Sequence, residues 1–420
     1  MIRPMYGVGR GQGEQRVSLL PGRYGPPVGR LGTAGAAGGP VVPAASRKWT
    51  TSGTADAATV ACGTGAVLDP IAKRLGVWGV CGVKIQIFCT LGPASLSSEV
   101  IGQLDEAGVD LFRINLSHTP IKAVEDVIDL VQASSSKPLC LDLQGAQVRC
   151  GKVAPEVVLR RGQPVGLTAA RLEGTARELT LWPSSVFASL EAGSLVMIDG
   201  DGAQVEVTRV AEDHAEAVVV DGGRIRSNKA VTIHPAAVLP VLTDRDREAI
   251  AIGIRRGLRH VALSFASCAE DVDLVRSLAP GASVIAKIES SAGVRNMDGI
   301  IDRSDAVLID RGDLSREVPL EYVPFYQKAI VRRANRWSRP VFVATNLLES
   351  MVTNRNPTIA EANDVANTLL DGVHGLVLAA ETAIGRDPVG IVNMVTRMVR
   401  AFEWSNFRTL EQDRSLTTAS

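Results

Sequence analysis

Short apolar runs alternate with amphipathic stretches along most of the chain. Eight runs are rich in aliphatic residues: VKIQIFCTL (83–91), LFRINLS (111–117), PLCLDLQ (138–144), HVALSFA (260–266), SVIAKIE (283–289), AVLIDRGD (306–313), PVFVATN (340–346) and GLVLAAET (375–382). Helical patterns such as SEVIGQLDEAG and DREAIAIGIRRG lie between most of them. Nearly continuous apolar strands that alternate with helices indicate a parallel sheet covered on both faces. Eight such strands predict an α/β fold, a closed (β/α)8 TIM barrel.

Two segments depart from this alternation. Residues 151–237 carry short alternating runs with Gly and Asp turns, which predicts a small β-barrel domain inserted after the third barrel strand. Residues 1–80 are rich in Gly, Ala, Pro, Ser and Thr, with several Arg and few acids, which predicts a disordered leader. The barrel would then comprise residues 81–150 and 238–408, followed by a tail at 409–420.

Composition limits the classes of partner. The chain has 45 Lys and Arg against 45 Asp and Glu, so its formal net charge is zero. The overall charge therefore gives no reason to expect binding to nucleic acid or to a membrane surface. No apolar run is long enough to span a bilayer. The six cysteines are scattered, which indicates free thiols in a reducing compartment. We expect a cytoplasmic protein, with a plastid or mitochondrion as the alternative if the leader is a cleaved transit peptide.

Polar residues stand where the apolar runs end, as at Lys287 and Glu289 in VIAKIE. Alternate residues of a strand share a face, so these two side chains should lie together. The carboxyl ends of barrel strands are where such folds hold their active sites. A structural ion pair is the alternative interpretation, and Asp313 after the next strand favours a site, because two carboxylates could bind one Mg²⁺ or Mn²⁺.

Eight motifs carry a family resemblance: FCTLGPAS, RINLSH, LDLQGAQVRCG, AKIESSAGVRN, DRGDLSREVP, VATNLLESM, NPTIAEANDVANTLLDG and ETAIGRDPV. In this order they resemble the successive signatures of the pyruvate kinase family. The resemblance implies that the chain transfers the phosphoryl group of phosphoenolpyruvate to ADP, giving pyruvate and ATP. It implies Mg²⁺ or Mn²⁺ as the cofactor and leaves K⁺ open. The inserted domain corresponds to the family's lid.

The resemblance also implies residue roles. Lys287, Thr345 and Arg113 would be catalytic, with Gly312 and Asp313 joining Lys287 and Thr345 in substrate binding. Glu289 and Asp313 would bind the divalent cation. The remaining roles are K⁺ ligation by Asn115, Ser117, Asp142 and Leu143, and nucleotide binding by Asn115, His118, Arg149 and Lys229.

Several positions depart from the family pattern, among them Gln144, Gln147, Ser267, Asp310 and Ile359. The chain also ends soon after the eighth barrel helix, where the family continues into a further domain. Two alternatives therefore stay open: a catalytically impaired homologue acting as a regulatory or interaction subunit, and another phosphoenolpyruvate or pyruvate enzyme with the same metal site. We expect a homo-oligomer formed through the barrel, or a hetero-oligomer with a full-length homologue.

Overall fold

The computed structural model describes residues 84–145, 147–199, 202–235, 237 and 239–417, with side chains as far as residue 404. The predicted leader, Gly200 of the inserted domain and the last residues of the predicted tail lie outside this part of the chain.

Eight parallel strands close into a barrel, as the sequence predicts. The last strand pairs with the first, Gly375 opposite Gln86. In chain order the barrel strands are β1 (Gln86–Leu91), β2 (Leu111–Asn115), β3 (Leu139–Asp142), β13 (His260–Leu263), β14 (Ser283–Lys287), β15 (Ala306–Asp310), β16 (Val341–Ala344) and β17 (Gly375–Leu378), the numbers between belonging to the inserted domain.

Helices follow the strands and cover the barrel. They are α1 (Ser98–Glu106), α2 (Ile121–Ser134), α3 (Asp244–Arg255), α4 (Ala269–Leu278), α5 (Ser291–Arg295), α6 (Met297–Arg303), α7 (Arg311–Glu317), α8 (Val323–Arg336), α9 (Ile359–Leu370), α10 (Ala380–Ala383) and α11 (Pro388–Thr417), with 3₁₀ turns at Ser184–Ser189, Leu320–Tyr322 and Glu349–Val352. Several begin at side-chain caps: Thr243 and Asp246 form a capping box before α3, and Thr358 and Glu361 do so before α9.

The inserted domain is a separate, nearly closed β-barrel between β3 and α3. Its seven-stranded sheet contains β4 (Arg149–Cys150), β6 (Pro164–Thr168), β7 (Glu178–Trp182), β8 (Leu195–Ile198), β9 (Ala203–Val210), β10 (His214–Asp221) and β12 (Val231–His234). A bridge between Arg149 and Ala230 joins the two edges. Strands β5 (Val158–Leu159) and β11 (Gly223–Arg224) form a small second sheet. The predicted insertion after the third barrel strand is confirmed.

Two apolar layers stabilise the barrel. The larger fills the space between the strands and the helices, and the smaller fills the barrel interior. In the interior the rings of Phe88 and Phe342 pack with centroids 4.4 Å apart. On β15 and β16 the interior residues lie two positions apart, at Ala306 and Leu308 and at Phe342 and Ala344, the alternation expected of a packed barrel.

The barrel strands are shorter than the apolar runs suggest. The run 306–313 was predicted as one strand ending at Asp313, but the strand ends at Asp310 and Asp313 lies in the first turn of α7. The run 375–382 likewise ends as a strand at Leu378. The prediction is wrong at these ends because the polar residues at the start of a short helix look the same in sequence as polar residues at the end of a strand.

The described residues bear on two predictions, the state of the cysteines and the length of apolar helices. Cys89, Cys140, Cys150 and Cys268 carry free thiols, as predicted, while Cys62 and Cys81 lie outside the described residues. Within the part of the chain that the structure covers, no helix combines the length and the apolar character needed to cross a bilayer.

Candidate active site

One layer of polar side chains closes the carboxyl end of the barrel interior. The inward-facing apolar residues of six strands are each followed, two positions later, by a polar residue. Because alternate side chains of a strand share a face, these polar residues continue the interior column. All are buried: Thr90, Arg113, Asp142, Ser264, Lys287 and Asp310. Burial of so many charges in one layer indicates a site rather than a solvated edge.

Lys287 is the centre of this layer and is only 4% exposed. Its Nζ lies 3.0 Å from Glu289 Oε2, 3.4 Å from Asp310 Oδ2 and 3.6 Å from Asp142 Oδ1. It also donates a hydrogen bond of 3.1 Å to Ser264 Oγ. Burial by itself would lower the pKa of Lys287, but the neighbouring carboxylates, Asp142 first, raise it well above its ordinary value. Lys287 is therefore a fixed positive charge.

Arg113 is held by two buried partners. Its Nε donates to Thr90 Oγ1 at 2.8 Å, and Nη1 donates to Asp142 Oδ2 at 3.0 Å. Thr90 in turn donates to the carbonyl of Leu378, across the seam where the barrel closes. Sequence reasoning did not single out Thr90, although its position two residues after Phe88 marks it as an inward-facing polar residue.

Glu289 follows β14 by two residues and is fully buried. Its Oε1 accepts the backbone N–H of Phe265 at 2.8 Å, while Oε2 has no hydrogen-bond partner. The contact of Oε2 with Lys287 is therefore close but not aligned as a hydrogen bond. Burial, opposed by Lys287 and reinforced by Asp310 and Asp313, raises the pKa of Glu289 to about 8. A buried carboxylate oxygen without a partner is suited to bind a cation.

Three carboxylates converge next to Lys287. One oxygen each of Glu289, Asp310 and Asp313 lies within 4.8 Å of the other two. Asp313 Oδ1 accepts from Arg316 Nη1 at 2.9 Å and from Gln147 Nε2 at 3.4 Å, so a residue preceding the inserted sheet reaches the cluster. Burial and the charge of Asp310 raise the pKa of Asp313. These oxygens fit a divalent cation such as Mg²⁺, which takes oxygen ligands at about 2.0–2.1 Å.

Thr345 faces the same cluster from the end of β16. Its hydroxyl accepts the N–H of Gly312 at 2.8 Å and has two acceptors in reach, Ala344 O at 2.6 Å and Asp310 Oδ1 at 3.1 Å. Thr345 has a φ of 67°, a left-handed conformation that is rare for a β-branched residue. Such strain costs on the order of 1–3 kcal/mol and is concentrated at functional sites. In this state the Gly312 N–H, predicted to hold a substrate carboxylate, is engaged by Thr345.

The predicted nucleotide side is more open. A groove of about 450 Å³ is lined by Ser117, His118, Pro120, Ile121, Lys122 and Arg245. Burial and the nearby Arg149 lower the pKa of His118, which favours the neutral imidazole. Arg245 Nη1 donates to Gln144 Oε1 at 3.3 Å, and its other Nη donates to the carbonyl of Thr119. Sequence reasoning missed Arg245, a cation beside Gln144, which is one of the departures from the family pattern.

The two basic residues predicted to bind nucleotide lie on paired segments of the inserted domain, but their side chains have different partners. Arg149 donates to the carbonyl of Asn228 at 3.0 Å, and burial lowers its pKa while the charge of Asp313 raises it. Lys229 lies on the inserted domain, with Nζ 3.6 Å from Asp199 Oδ1. The charge of Arg149 thus interacts with that of Asp313 in the carboxylate cluster, whereas the ion pair of Lys229 is internal to the insertion.

The predicted K⁺ ligands come from two neighbouring strands. Asn115 stands opposite Asp142 in the register of β2 and β3, and its Oδ1 accepts the N–H of Ser117 at 2.8 Å. Asp142 Oδ1 is buried without a hydrogen bond. The carbonyl of Leu143 accepts from Ser264 Oγ at 2.6 Å. The free oxygen of Asp142 fits a cation, and the ligand roles of the set stay predictions.

Two departures, Ser267 and Ile359, have no described contact with the carboxylate cluster. Ser267 donates through its hydroxyl and its N–H to Asp271 Oδ2, each at 2.7 Å, and so helps to cap α4. Ile359 is 82% exposed at the start of α9. Neither side chain has a described contact with the carboxylate cluster, so these two substitutions alter the surroundings rather than the centre.

Comparison with known proteins agrees with this arrangement. The family model described as pyruvate kinase, barrel domain, matches residues 83–392. The chain belongs to the pyruvate kinase family. It is 37% identical to the pyruvate kinase of Methylorubrum extorquens over 328 residues, which are 76% of this chain and 69% of that protein.

The chain is also similar to pyruvate kinases from two other organisms. Identity to the pyruvate kinase of Thermococcus litoralis is 37% over 332 residues, covering 76% of this chain and 70% of the relative. Identity to plastidial pyruvate kinase 3, chloroplastic, of Arabidopsis thaliana is 34% over 323 residues, or 74% of this chain and 57% of the relative. The matched region thus spans less than two thirds of that longer protein.

Proposed function

We propose that the protein is a phosphotransferase that moves the phosphoryl group of phosphoenolpyruvate to ADP, giving pyruvate and ATP. The observation that carries the proposal is the buried Lys287 beside three converging carboxylates, one with an oxygen that lacks any hydrogen bond. Phosphoryl transfer consists mainly of positioning and charge neutralisation, which this arrangement supplies.

Glu289 and Asp313 would hold Mg²⁺ or Mn²⁺. When bound, the cation supplies positive charge against the oxygens of the substrate and orients them. The fit rests on the free Oε2 of Glu289 and on the spacing of the carboxylate oxygens. K⁺ remains a second, separate proposal for the oxygens around Asp142.

The chain's own residues would act as follows. Lys287 and Arg113 stabilise negative charge on the transferring phosphoryl group, because both are fixed cations that need no reorganisation during the reaction. The bond from phosphorus to the enol oxygen breaks as the bond to a β-phosphate oxygen of ADP forms. The enolate carbon then takes up a proton on the side of Thr345, whose hydroxyl is held by Gly312 and Asp310.

Nucleotide would bind on the side of His118, Arg149 and Arg245. These residues border the open groove or reach toward Asp313, so they could bind the phosphates of ADP. Lys229 would join them only if its ion pair with Asp199 opens. ADP binding that is unchanged in both Arg149→Ala and Lys229→Ala would exclude this subsite.

A coupled assay tests the proposed function. Pyruvate formation from phosphoenolpyruvate and ADP should require Mg²⁺ or Mn²⁺ and should disappear in Lys287→Met. Without turnover, cation-dependent thermal stabilisation by phosphoenolpyruvate would favour another enzyme of phosphoenolpyruvate or pyruvate. Absence of both turnover and stabilisation would favour the regulatory or interaction subunit. These alternatives are retained because the carboxylate of Asp310 lies beside Lys287, where it would repel an anionic substrate.

Oligomerisation through the barrel and a cytoplasmic location stay proposals. Support for the first comes from the exposed apolar residues Leu320, Phe325 and Ile359, which are 72%, 67% and 82% exposed on barrel helices and turns. Light scattering after size-exclusion chromatography should give a dimer or larger species for the wild type and a monomer for Phe325→Glu. A monomeric wild type would contradict the proposed homo-oligomer.

A further inference from the structure

The proposed phosphoryl transfer uses Asp310 only through its contact with the Thr345 hydroxyl. It is the last residue of β15, it is 6% exposed, and its side chain continues the inward-facing column that contains Leu308. Oδ2 lies 3.4 Å from Lys287 Nζ, and Oδ1 accepts from Thr345 Oγ1 at 3.1 Å. Asp310 therefore contacts two of the side chains proposed to act on the substrate, Lys287 and Thr345.

The same carboxylate belongs to the candidate cation site. Its ligand oxygen lies within 4.8 Å of those of Glu289 and Asp313. In an octahedral Mg²⁺ site with bonds of about 2.1 Å, opposite ligands are about 4 Å apart and adjacent ones about 3 Å apart. A small contraction would thus bring all three oxygens onto one ion. The unpartnered Oε2 of Glu289, on a fully buried side chain, faces Lys287 and supplies a second indication of a cation here.

We propose that Asp310 is a third carboxylate ligand of the divalent cation, which binds tightly before any substrate arrives. The inference rests on the cation site of the proposed function and adds a ligand to it. Compared with an uncharged residue at 310, the carboxylate lowers the charge of the site by one unit. Cation affinity of the free protein then rises, because carboxylate count controls the affinity of hard-cation sites.

The added charge has an opposite effect on the anionic substrate. Asp310 shares Lys287 with Glu289 and Asp142, so less of the positive charge of Lys287 is available to a phosphate. Phosphoenolpyruvate should therefore bind more weakly to the wild type than to a variant without the carboxylate. Opposite changes in cation and substrate affinity distinguish a ligand from a residue that only supports the fold.

Mn²⁺ binding to the substrate-free protein tests the inference. Electron paramagnetic resonance of free Mn²⁺ should show a dissociation constant about 10-fold or more higher in Asp310→Ala than in the wild type. Asp310→Asn keeps the shape and an oxygen for Thr345, and should also bind Mn²⁺ more weakly. The matched control is Asp364→Ala, which removes a carboxylate that pairs with the neighbouring Arg311 at 2.8 Å and lies outside the cluster.

The outcomes separate this inference from the proposed function. Weaker Mn²⁺ binding in both Asp310 variants, with tighter phosphoenolpyruvate binding measured by thermal shift, supports a third ligand. Unchanged or tighter Mn²⁺ binding in Asp310→Asn overturns it and leaves the sites of Glu289 and Asp313 intact. A wild type that binds no Mn²⁺ overturns both. If Asp310→Ala does not fold, the Asn variant alone decides.

Discussion

Lys287 Nζ lies 3.0 Å from Glu289 Oε2, and the two side chains leave the backbone on the same side of the strand end. The contact joins a cation and a carboxylate that are both almost completely buried. Glu289 Oε2 nevertheless keeps an unused hydrogen-bonding position. The pair is therefore not a closed structural ion pair, because one of its oxygens is still available to a metal ion.

Replacing Lys287 with Met should remove most of the activity. The fixed positive charge next to the phosphoryl group would be lost, and removal of one such preorganised charge typically lowers kcat about 10²–10³-fold. Steady-state kinetics of phosphoenolpyruvate turnover measure the loss, and circular dichroism checks the fold. Lys328→Met is the matched control, since that lysine pairs with Asp371 on the outer helices. Wild-type turnover by Lys287→Met would remove this residue from the reaction.

Divalent cation binding should depend on pH through Glu289. Burial raises its pKa from an ordinary value of 4.5 to about 8, so below about pH 8 a cation competes with a proton for this carboxyl group. A cation must displace that proton, and its affinity should rise with pH up to about 8 and then level off. Mn²⁺ titrations between about pH 6 and pH 9 measure this slope, which should be absent in Glu289→Gln.

The same shift predicts the stability of the cation-free protein. Because the folded-state pKa of Glu289 exceeds its unfolded value, the contribution of the neutral carboxyl is complete below about pH 4.5 and is lost as pH rises through about 8. Thermal unfolding should therefore show a larger stabilising effect of added Mn²⁺ at pH 8 than at pH 6. An Mn²⁺-induced shift in Tm that decreases from pH 6 to pH 8 would contradict the assignment.

The closed barrel and the side-by-side placement of Lys287 and Glu289 could be predicted because both follow from local periodicity. Alternation along one strand determines which residues share a face, and the contact of 3.0 Å confirms it. Contacts between strands depend instead on the register of barrel closure. The hydrogen bond from Arg113 to Thr90 and the approach of Asp310 to Lys287 join separate strands, so the sequence alone could not locate them.

Asp313 shows a second limit of sequence reasoning. The strand ends three residues earlier because the chain turns at Asp310, where Arg311 donates to the carbonyls of Thr345 and Asn346 and starts α7. The guanidinium thus ties the start of the helix to the end of the neighbouring strand. This contact between separate segments helps to place Asp313, and the pattern of residues 306–313 alone does not predict the contact.

Thr90 should support Arg113 through its hydroxyl. Thr90→Val keeps the side-chain volume but leaves Nε of Arg113 buried without an acceptor, which costs about 1–3 kcal/mol. Urea unfolding should show this loss, and the KM for phosphoenolpyruvate should rise because Arg113 is less firmly held. Thr90→Ser restores the hydroxyl and should recover both properties. Equal stability of the Val variant and the wild type would mean that Nε finds another partner.

Gln147 should make the proposed phosphoryl transfer independent of K⁺, even when the oxygens around Asp142 bind the ion. Its Nε2 lies 3.4 Å from Asp313 Oδ1, so the neutral amide can donate a hydrogen bond where a glutamate would repel the carboxylate. We expect the wild-type rate to be the same in potassium chloride and in tetramethylammonium chloride. Gln147→Glu adds a negative charge that a monovalent cation could offset, and its rate should fall without K⁺ and recover with it.

A second glutamine serves as the control for this exchange. Gln132→Glu makes the same change on α2, where Gln132 Nε2 donates to the carbonyl of Arg256 at 3.0 Å on the exposed outer surface. That variant should keep the wild-type response to K⁺, because the added charge is solvated and screened. Strong K⁺ activation of the wild type would show that the oxygens around Asp142 bind the ion without a carboxylate at 147. An unchanged response in Gln147→Glu would show that the contact with Asp313 does not control the monovalent cation.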